Sequence, residues 1–231
     1  GDFIDVVAVE AKSGLQAQYI DQYGLWYLKA NATENVDLPD SVYYDGAQTD
    51  MAVGKLAELK ARGTPFFFSV GYYRPHLPFN APKKYWDLYQ RETIPMAPNP
   101  FPPKDAPIMA MSTMRELKGY ADFAGAAHPF DGSLSEADAR RLKHGYYASV
   151  SYIDAQIGRL LDQLDALDLA RNTIVVLWGD HGYKLGEHNG WAKMTDYQID
   201  THAPLIIRAP RTIAPGTRVD RMVEFVDVYP T

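Results

Sequence analysis

Thr173-Ile174-Val175-Val176-Leu177-Trp178 runs directly into Gly179-Asp180-His181-Gly182-Tyr183-Lys184-Leu185-Gly186-Glu187-His188 and then, past two residues, Trp191-Ala192-Lys193. The first six residues are largely apolar and rich in β-branched side chains, a pattern that reads as a buried strand. An aspartate and a histidine therefore fall where a strand gives way to a glycine-rich loop. In open α/β folds, ligands bind outside the carboxyl ends of strands. A carboxylate, an imidazole and the Lys193 ammonium in one short loop can hold a metal ion and an anion together. Core packing alone does not ask for that set.

Working outward, the upstream neighbour is the clearest helix of the chain. Ser135 with Asp138 three residues on reads as a helix start. Leu142, Tyr146, Val150, Ile153, Ile157, Leu160, Leu161 and Leu164 then recur at three- and four-residue steps, and the pattern ends near Leu167-Asp168. Downstream, Pro204 to Arg208 reads as a further strand that stops at Ala209-Pro210. The tail from Met222 to Thr231 has the look of the start of another element. Further upstream, a helical pattern begins at Ala47 and stops at Gly63. Thr64 to Gly71, with Phe66-Phe67-Phe68 at its centre, reads as a second buried strand. Pro82 opens a short helix through Tyr85, Trp86 and Tyr89. Residues 91–133 form a long proline-rich loop with a short helix around Met109 to Tyr120, and loops of that length are usually functional or mobile. Asp5 to Val9 reads as a short strand and Gly24 to Ala30 is apolar and aromatic, but residues 1–44 stay poorly assigned. The predicted class is α/β, a mostly parallel sheet flanked by helices.

The composition fits an ordinary globular chain: 231 residues, 46% hydrophobic and 23% charged. The net charge of −6 argues against a nucleic-acid partner, which usually needs a basic face. No apolar run approaches the roughly 20 residues of a membrane helix. Nothing at the start resembles a signal peptide, and with no cysteine no disulfide reports the compartment. The pattern says nothing about oligomeric state.

Each candidate site residue carries two readings. Asp180 and His181 ligate a divalent metal, or Asp180 caps a turn and His181 is a satisfied polar residue. Glu187 and His188 support the metal ligands by hydrogen bonds, or form a polar turn. Lys193 binds the anionic group of a substrate as a point charge, or is solvated. His76, bracketed by Pro75 and Pro78, is a general acid or anion ligand, or stacks on Tyr72 or Phe79. Arg74 is a weaker candidate for the same pocket. His128, His144 and His202 read as structural or solvated.

Four motifs now stand in order: Phe67-Phe68-Ser69-Val70-Gly71-Tyr72-Tyr73-Arg74-Pro75-His76-Leu77-Pro78-Phe79, then Gly145-Tyr146-Tyr147-Ala148-Ser149-Val150-Ser151-Tyr152-Ile153-Asp154-Ala155-Gln156-Ile157-Gly158-Arg159-Leu160-Leu161, then the Gly179–His188 loop with Trp191-Ala192-Lys193, then Thr201-His202-Ala203-Pro204-Leu205-Ile206. Together they resemble the central part of a type I sulfatase of the alkaline phosphatase superfamily, in its iduronate-2-sulfatase-like branch. The resemblance covers residues 45–231, incomplete at both ends. It implies an alkaline-phosphatase-like sandwich and a sulfuric ester hydrolase with bound Ca²⁺. It puts Asp180 and His181 on metal positions, His76 and Lys193 on sulfate-contacting and catalytic positions, and Tyr183 near the substrate. Ligand chemistry alone leaves Mn²⁺ and Zn²⁺ open as well.

One departure is large. The family's formylglycine comes from a Cys/Ser-x-Pro-x-Arg motif, and this chain has neither cysteine nor Ser-x-Pro-x-Arg. The resemblance therefore places the nucleophile in a missing upstream part and predicts that the 231-residue segment alone is inactive. It implies a sulfate-ester substrate, such as a sulfated polysaccharide, and a periplasmic, extracellular or lysosomal location. The alternatives are a phosphonate or phosphate monoester hydrolase of the same superfamily, or a non-catalytic module that binds sulfated glycans.

Overall fold

The computed structural model describes residues 30–230, with the backbone pairing of two short antiparallel strands, β1 (Tyr19–Ile20) and β2 (Trp26–Tyr27). The strand expected at Asp5 to Val9 lies outside the described residues. The elements that follow are β3 (Thr33–Glu34), α1 (Tyr44–Arg62), β4 (Phe79–Asn80), α2 (Lys83–Trp86), α3 (Arg115–Lys118), α4 (Glu136–Ala166), β5 (Val175–Trp178), β6 (Lys184–Leu185), β7 (Trp191–Ala192), α5 (Gln198–Thr201) and β8 (Leu205–Arg208).

The helices form where the apolar spacing places them, and their ends have local causes. The Ser135 hydroxyl accepts a hydrogen bond from the Asp138 backbone N–H at 3.1 Å, satisfying one of the free donors at the start of α4. Gly63 ends α1 with φ 66°, the left-handed conformation glycine adopts without strain. Helix α4 buries Leu142, Ala148, Tyr152 and Ile153, while Val150 of the predicted stripe is 44% exposed. The buried face is set by steps of four from Ala148 through Tyr152 to Gln156, all fully buried. Tyr152 donates to the Asp40 backbone oxygen at 3.0 Å and Gln156 to its carboxylate, so α4 ties down the entry to α1.

Three apolar clusters make the core. Leu77, Phe79, Met114, Leu117, Phe123, Leu142 and Trp191 form one, beneath the site described below. Ala81, Tyr85, Trp86, Ala148, Tyr152 and Ile153 form the second between α2 and α4. Leu56, Leu164, Leu169 and Ala170 form the third where α1 meets the end of α4.

The α/β class holds, and the expected strands require two corrections. Among the described residues the pairing is not mostly parallel: β5 pairs β8 antiparallel, with Val175 opposite Arg208 and Trp178 opposite Leu205. Strands β6 and β7 are also antiparallel, and β3–β4 is the parallel pair. Thr64 to Gly71 is extended, with alternating exposed and half-buried residues, but finds no strand partner among the described residues. Nor are these two segments buried: Phe67 is 96% exposed, and Val176, Leu177 and Trp178 are exposed as well. Their composition marks strands covered on both faces; here Phe66, Phe68 and Val70 instead line an open apolar groove with Ile157, Leu160 and Val175.

Candidate active site

The loop after Val70 is positioned from below by a buried carboxylate. Asp45, in the first turn of α1 and 2% exposed, accepts the backbone N–H groups of Tyr73 at 2.7 Å and Arg74 at 3.2 Å. Arg74 donates Nε to the Asn80 backbone oxygen and Nη1 to that of His76, at 3.1 and 3.3 Å. Burial lowers the guanidinium's pKa, and the nearby Asp45 carboxylate opposes this. Arg74 thus spends two donors on holding the loop that carries His76, whose flanking Arg74–Pro75 and Leu77–Pro78 bonds are both cis.

His76 and Lys193, 117 residues apart by their numbers, meet on one side chain that the sequence reading did not single out. The Glu116 Oε1 atom lies 3.0 Å from His76 Nε2 and 2.8 Å from Lys193 Nζ, and Oε2 lies 2.7 Å from Nζ. Burial raises the Glu116 carboxyl pKa, but the bonds and charges of His76 and Lys193 outweigh it and hold the group below the usual carboxylate range. The pairing therefore stabilises the fold at neutral pH, and that contribution is lost as acid protonates Glu116. On His76 the other nitrogen, Nδ1, lies 2.6 Å from the Leu77 backbone oxygen. A carbonyl and an ionised carboxylate both accept, so each ring nitrogen faces an acceptor. Its aromatic neighbour is Tyr73, with ring centroids 4.8 Å apart, rather than Tyr72 or Phe79.

Tyr183 lies against Phe79 and Tyr146, with centroids 6.1 and 5.3 Å away. Its hydroxyl is buried and has no hydrogen-bond partner. Burial, and next the Glu116 charge, push its pKa well up, so it stays a neutral phenol.

Asp180 and His181 sit together past the carboxyl end of β5. The Asp180 side chain is 85% exposed and lies 3.6 Å from His181 Nε2. His181 Nδ1 lies 2.7 Å from the Gly182 backbone oxygen. Among the described residues no hydrogen bond or ion pair joins this pair to His76, Lys193 or Glu116, and no group of three acidic, histidine or cysteine side chains has metal-binding geometry. Glu187 accepts the Leu185 backbone N–H at 2.6 Å, while His188 stacks on Tyr197 at 4.8 Å and its backbone N–H donates to Asn99. Glu187 braces its own loop, His188 ties that loop to Asn99 and Tyr197, and neither bonds Asp180 or His181.

Gly182 shows why this loop needs its glycine. A Cβ there would lie 1.9 Å from the Ile199 backbone oxygen, because α5 closes directly over it and the Gly182 N–H donates to the Asp200 oxygen at 2.7 Å. Gly182→Ala is expected to displace α5 and lower stability by about 1–3 kcal/mol or more, the range for overpacked sites; chemical denaturation of the variant checks this.

His76 and Lys193 thus converge on one carboxylate, while Asp180 and His181 lie past the carboxyl end of β5. Residues 8–231 match the model of the sulfatase family, and the chain belongs to that family. It is 36% identical to human iduronate 2-sulfatase (Homo sapiens) over 197 residues, covering 84% of this chain and 36% of that protein. It is 27% identical over 241 residues to an arylsulfatase of Clostridium perfringens, covering 96% of this chain and 47% of that one. In fold it is similar to a phosphonate monoester hydrolase from Silicibacter pomeroyi, with TM-score 0.64, 24% identity, and coverage of 89% of this chain and 41% of that one. The chain thus spans well under two thirds of the length of these relatives. No helix among the described residues is long and apolar enough to cross a membrane.

Proposed function

We propose that the full-length protein hydrolyses sulfate esters and that this chain supplies the residues that grip the sulfate group. The observation that carries the proposal is the meeting of His76 Nε2 and Lys193 Nζ, from separate segments, on a single carboxylate oxygen. Donors arranged to share one carboxylate oxygen suit a sulfate oxygen equally well. In hydrolysis the bond between sulfur and the ester oxygen breaks, and its electron pair goes to the departing alcohol. His76 delivers a proton from Nε2 to that oxygen. Lys193 stabilises charge on the non-bridging oxygens, where a fixed cation acts without reorganisation. Tyr183 and Arg74 complete the substrate side, Tyr183 as an apolar wall and Arg74 through the loop it holds.

The attacking group is assigned to a formylglycine outside these 231 residues, since they hold neither a cysteine nor a Ser-x-Pro-x-Arg motif. Ca²⁺ is the proposed ion, with Asp180 and His181 as ligands. The exposed Asp180 carboxylate suits it, but Ca²⁺ takes about 6–8 oxygen donors, so these two residues form part of a shell. When bound, the ion supplies Lewis-acid stabilisation of the sulfate oxygens.

The relative that acts on iduronate sulfate, by its name, motivates a sulfated sugar as substrate. Tyr73, against the His76 ring, and Tyr120 and Tyr183, which feel the Glu116 charge, offer faces on which a sugar ring can pack. The test compares the full-length protein, with Ca²⁺, on an aryl sulfate, the matching aryl phosphate and a phosphonate monoester. Sulfate turnover is expected to dominate. Preference for the phosphonate would replace this reading with that of the phosphonate hydrolases.

A further inference from the structure

We propose that Glu116 is a built-in competitor for the sulfate group: its carboxylate holds the anion locus between His76 and Lys193 and must swing aside before a sulfate ester can bind. The inference rests on the sulfate-gripping role proposed above for His76 and Lys193, and deepens it.

Three observations carry it. First, His76 presents its Nε2 edge on this side, since Nδ1 faces the Leu77 oxygen at 2.6 Å, and Glu116 Oε1 occupies that edge at 3.0 Å. One N–H cannot donate fully to a carboxylate and a sulfate together. Second, Lys193 points two of its contacts at the same carboxylate, 2.8 and 2.7 Å away. While Glu116 stays, its negative charge offsets the Lys193 charge a sulfate would meet. Third, the residues around Glu116 separate backbone from side-chain motion. Met114 is 2% exposed and Leu117 fully buried, both in the core cluster with Leu142 and Trp191, so α3 is anchored from below. The Glu116 side chain is 19% exposed and turns about its own bonds without moving that anchor.

The arrangement makes the free protein pay for its own pre-organisation: the two donors are held at the right spacing by a surrogate anion, and true substrate binds only from the state with Glu116 displaced. A ligand's apparent affinity falls by the fraction of protein in the competent state. A tenfold gain in affinity on removing the carboxylate corresponds to a competent fraction of about a tenth.

The experiment measures binding of inorganic sulfate to the full-length protein by calorimetry at fixed ionic strength, for wild type, Glu116→Gln and Glu116→Ala. Glu116→Gln keeps the shape and removes the charge, and Glu116→Ala removes the side chain; thermal melts confirm that each variant is folded. Both are expected to bind sulfate about tenfold or more tightly than wild type, and Lys193→Met on either background is expected to remove the gain. Unchanged or weaker binding by the folded Glu116 variants, alongside wild-type sulfate-ester turnover that depends on His76 and Lys193, overturns the competitor role and leaves the proposed function standing. Sulfate binding that ignores Lys193→Met, in a protein without sulfate-ester turnover, overturns both.

Discussion

Lys184→Met is expected to cost about 3–5 kcal/mol of stability, the range for removing one partner of a buried ion pair. Lys184 and Asp200 are 2% and 3% exposed at the side chain and form an ion pair. Thr195 completes the cluster: its hydroxyl accepts from Lys184 Nζ at 2.6 Å, and its hydroxyl and backbone N–H reach Asp200 at 2.6 and 2.9 Å. Methionine restores most of the length of the lysine stem but no charge. The Asp200 carboxylate then remains buried with Thr195 as its hydrogen-bonding partner and no cation. Burial already lowers the Lys184 pKa, and the Asp200 bond works against that, so each ion depends on the other. For a chain of this size the loss corresponds to a fall of roughly 6–20 °C in Tm. The control is the double variant Lys184→Met with Asp200→Leu, which removes both charges and is expected to be more stable than Lys184→Met alone. Calorimetric or denaturant unfolding of both reads the effect, and a single variant within about 1 kcal/mol of wild type would show that water reaches the pair.

That latch was not legible in the sequence, and the reason is physical. A lysine in a loop motif is usually solvated, and nothing in a linear pattern pairs it with an aspartate 16 residues later. The helices were legible because an α-helix reports its buried face through its own spacing: α1 stops at Gly63 and α4 starts after Ser135 as read. The strands were legible as extended segments but not in their pairing. A strand's partner, direction and cover belong to the rest of the sheet, so Val175–Trp178 reads as buried and parallel yet pairs antiparallel with Leu205–Arg208 on an exposed face.

The same division runs through the site. His76 and Lys193 carry signals of their own, bracketing prolines in one case and a motif position in the other, and the fold brings them together. Glu116 carries none. It lies in a four-residue helix inside a proline-rich loop, where an acid reads as surface charge. A weak hint was available: Met114 and Leu117, three apart, mark the buried side of that turn and leave position 116 to face elsewhere. Asp180 and His181 stand where the strand end put them, while the step from that pair to a metal rests on the family and not on the geometry.

Lys193→Met in the full-length protein is expected to lower kcat for a sulfate ester by about 10²–10³, the loss typical of removing one fixed electrostatic stabiliser. The side chain is 16% exposed and its ammonium contacts both Glu116 oxygens, so it is held in place before substrate arrives. Methionine fills a similar volume, and Glu116 keeps His76 as a partner at 3.0 Å. The stability loss is therefore expected to stay near the roughly 1 kcal/mol of a partly exposed ion pair. Turnover thus falls far more than stability, and that contrast separates a charge acting on the reaction from one that merely packs. The split between constants sharpens it. If the ammonium grips bound sulfate and transition state alike, KM rises and kcat holds; if it meets charge that develops as the ester bond breaks, kcat falls. Cleavage of the bond to the alcohol shifts charge among the sulfate oxygens that Lys193 faces in this proposal, so the larger change is expected in kcat. Steady-state kinetics on an aryl sulfate with a good and a poor leaving group, beside thermal melts of the same preparations, decide it. Loss of Tm in step with loss of rate would return Lys193 to a structural role.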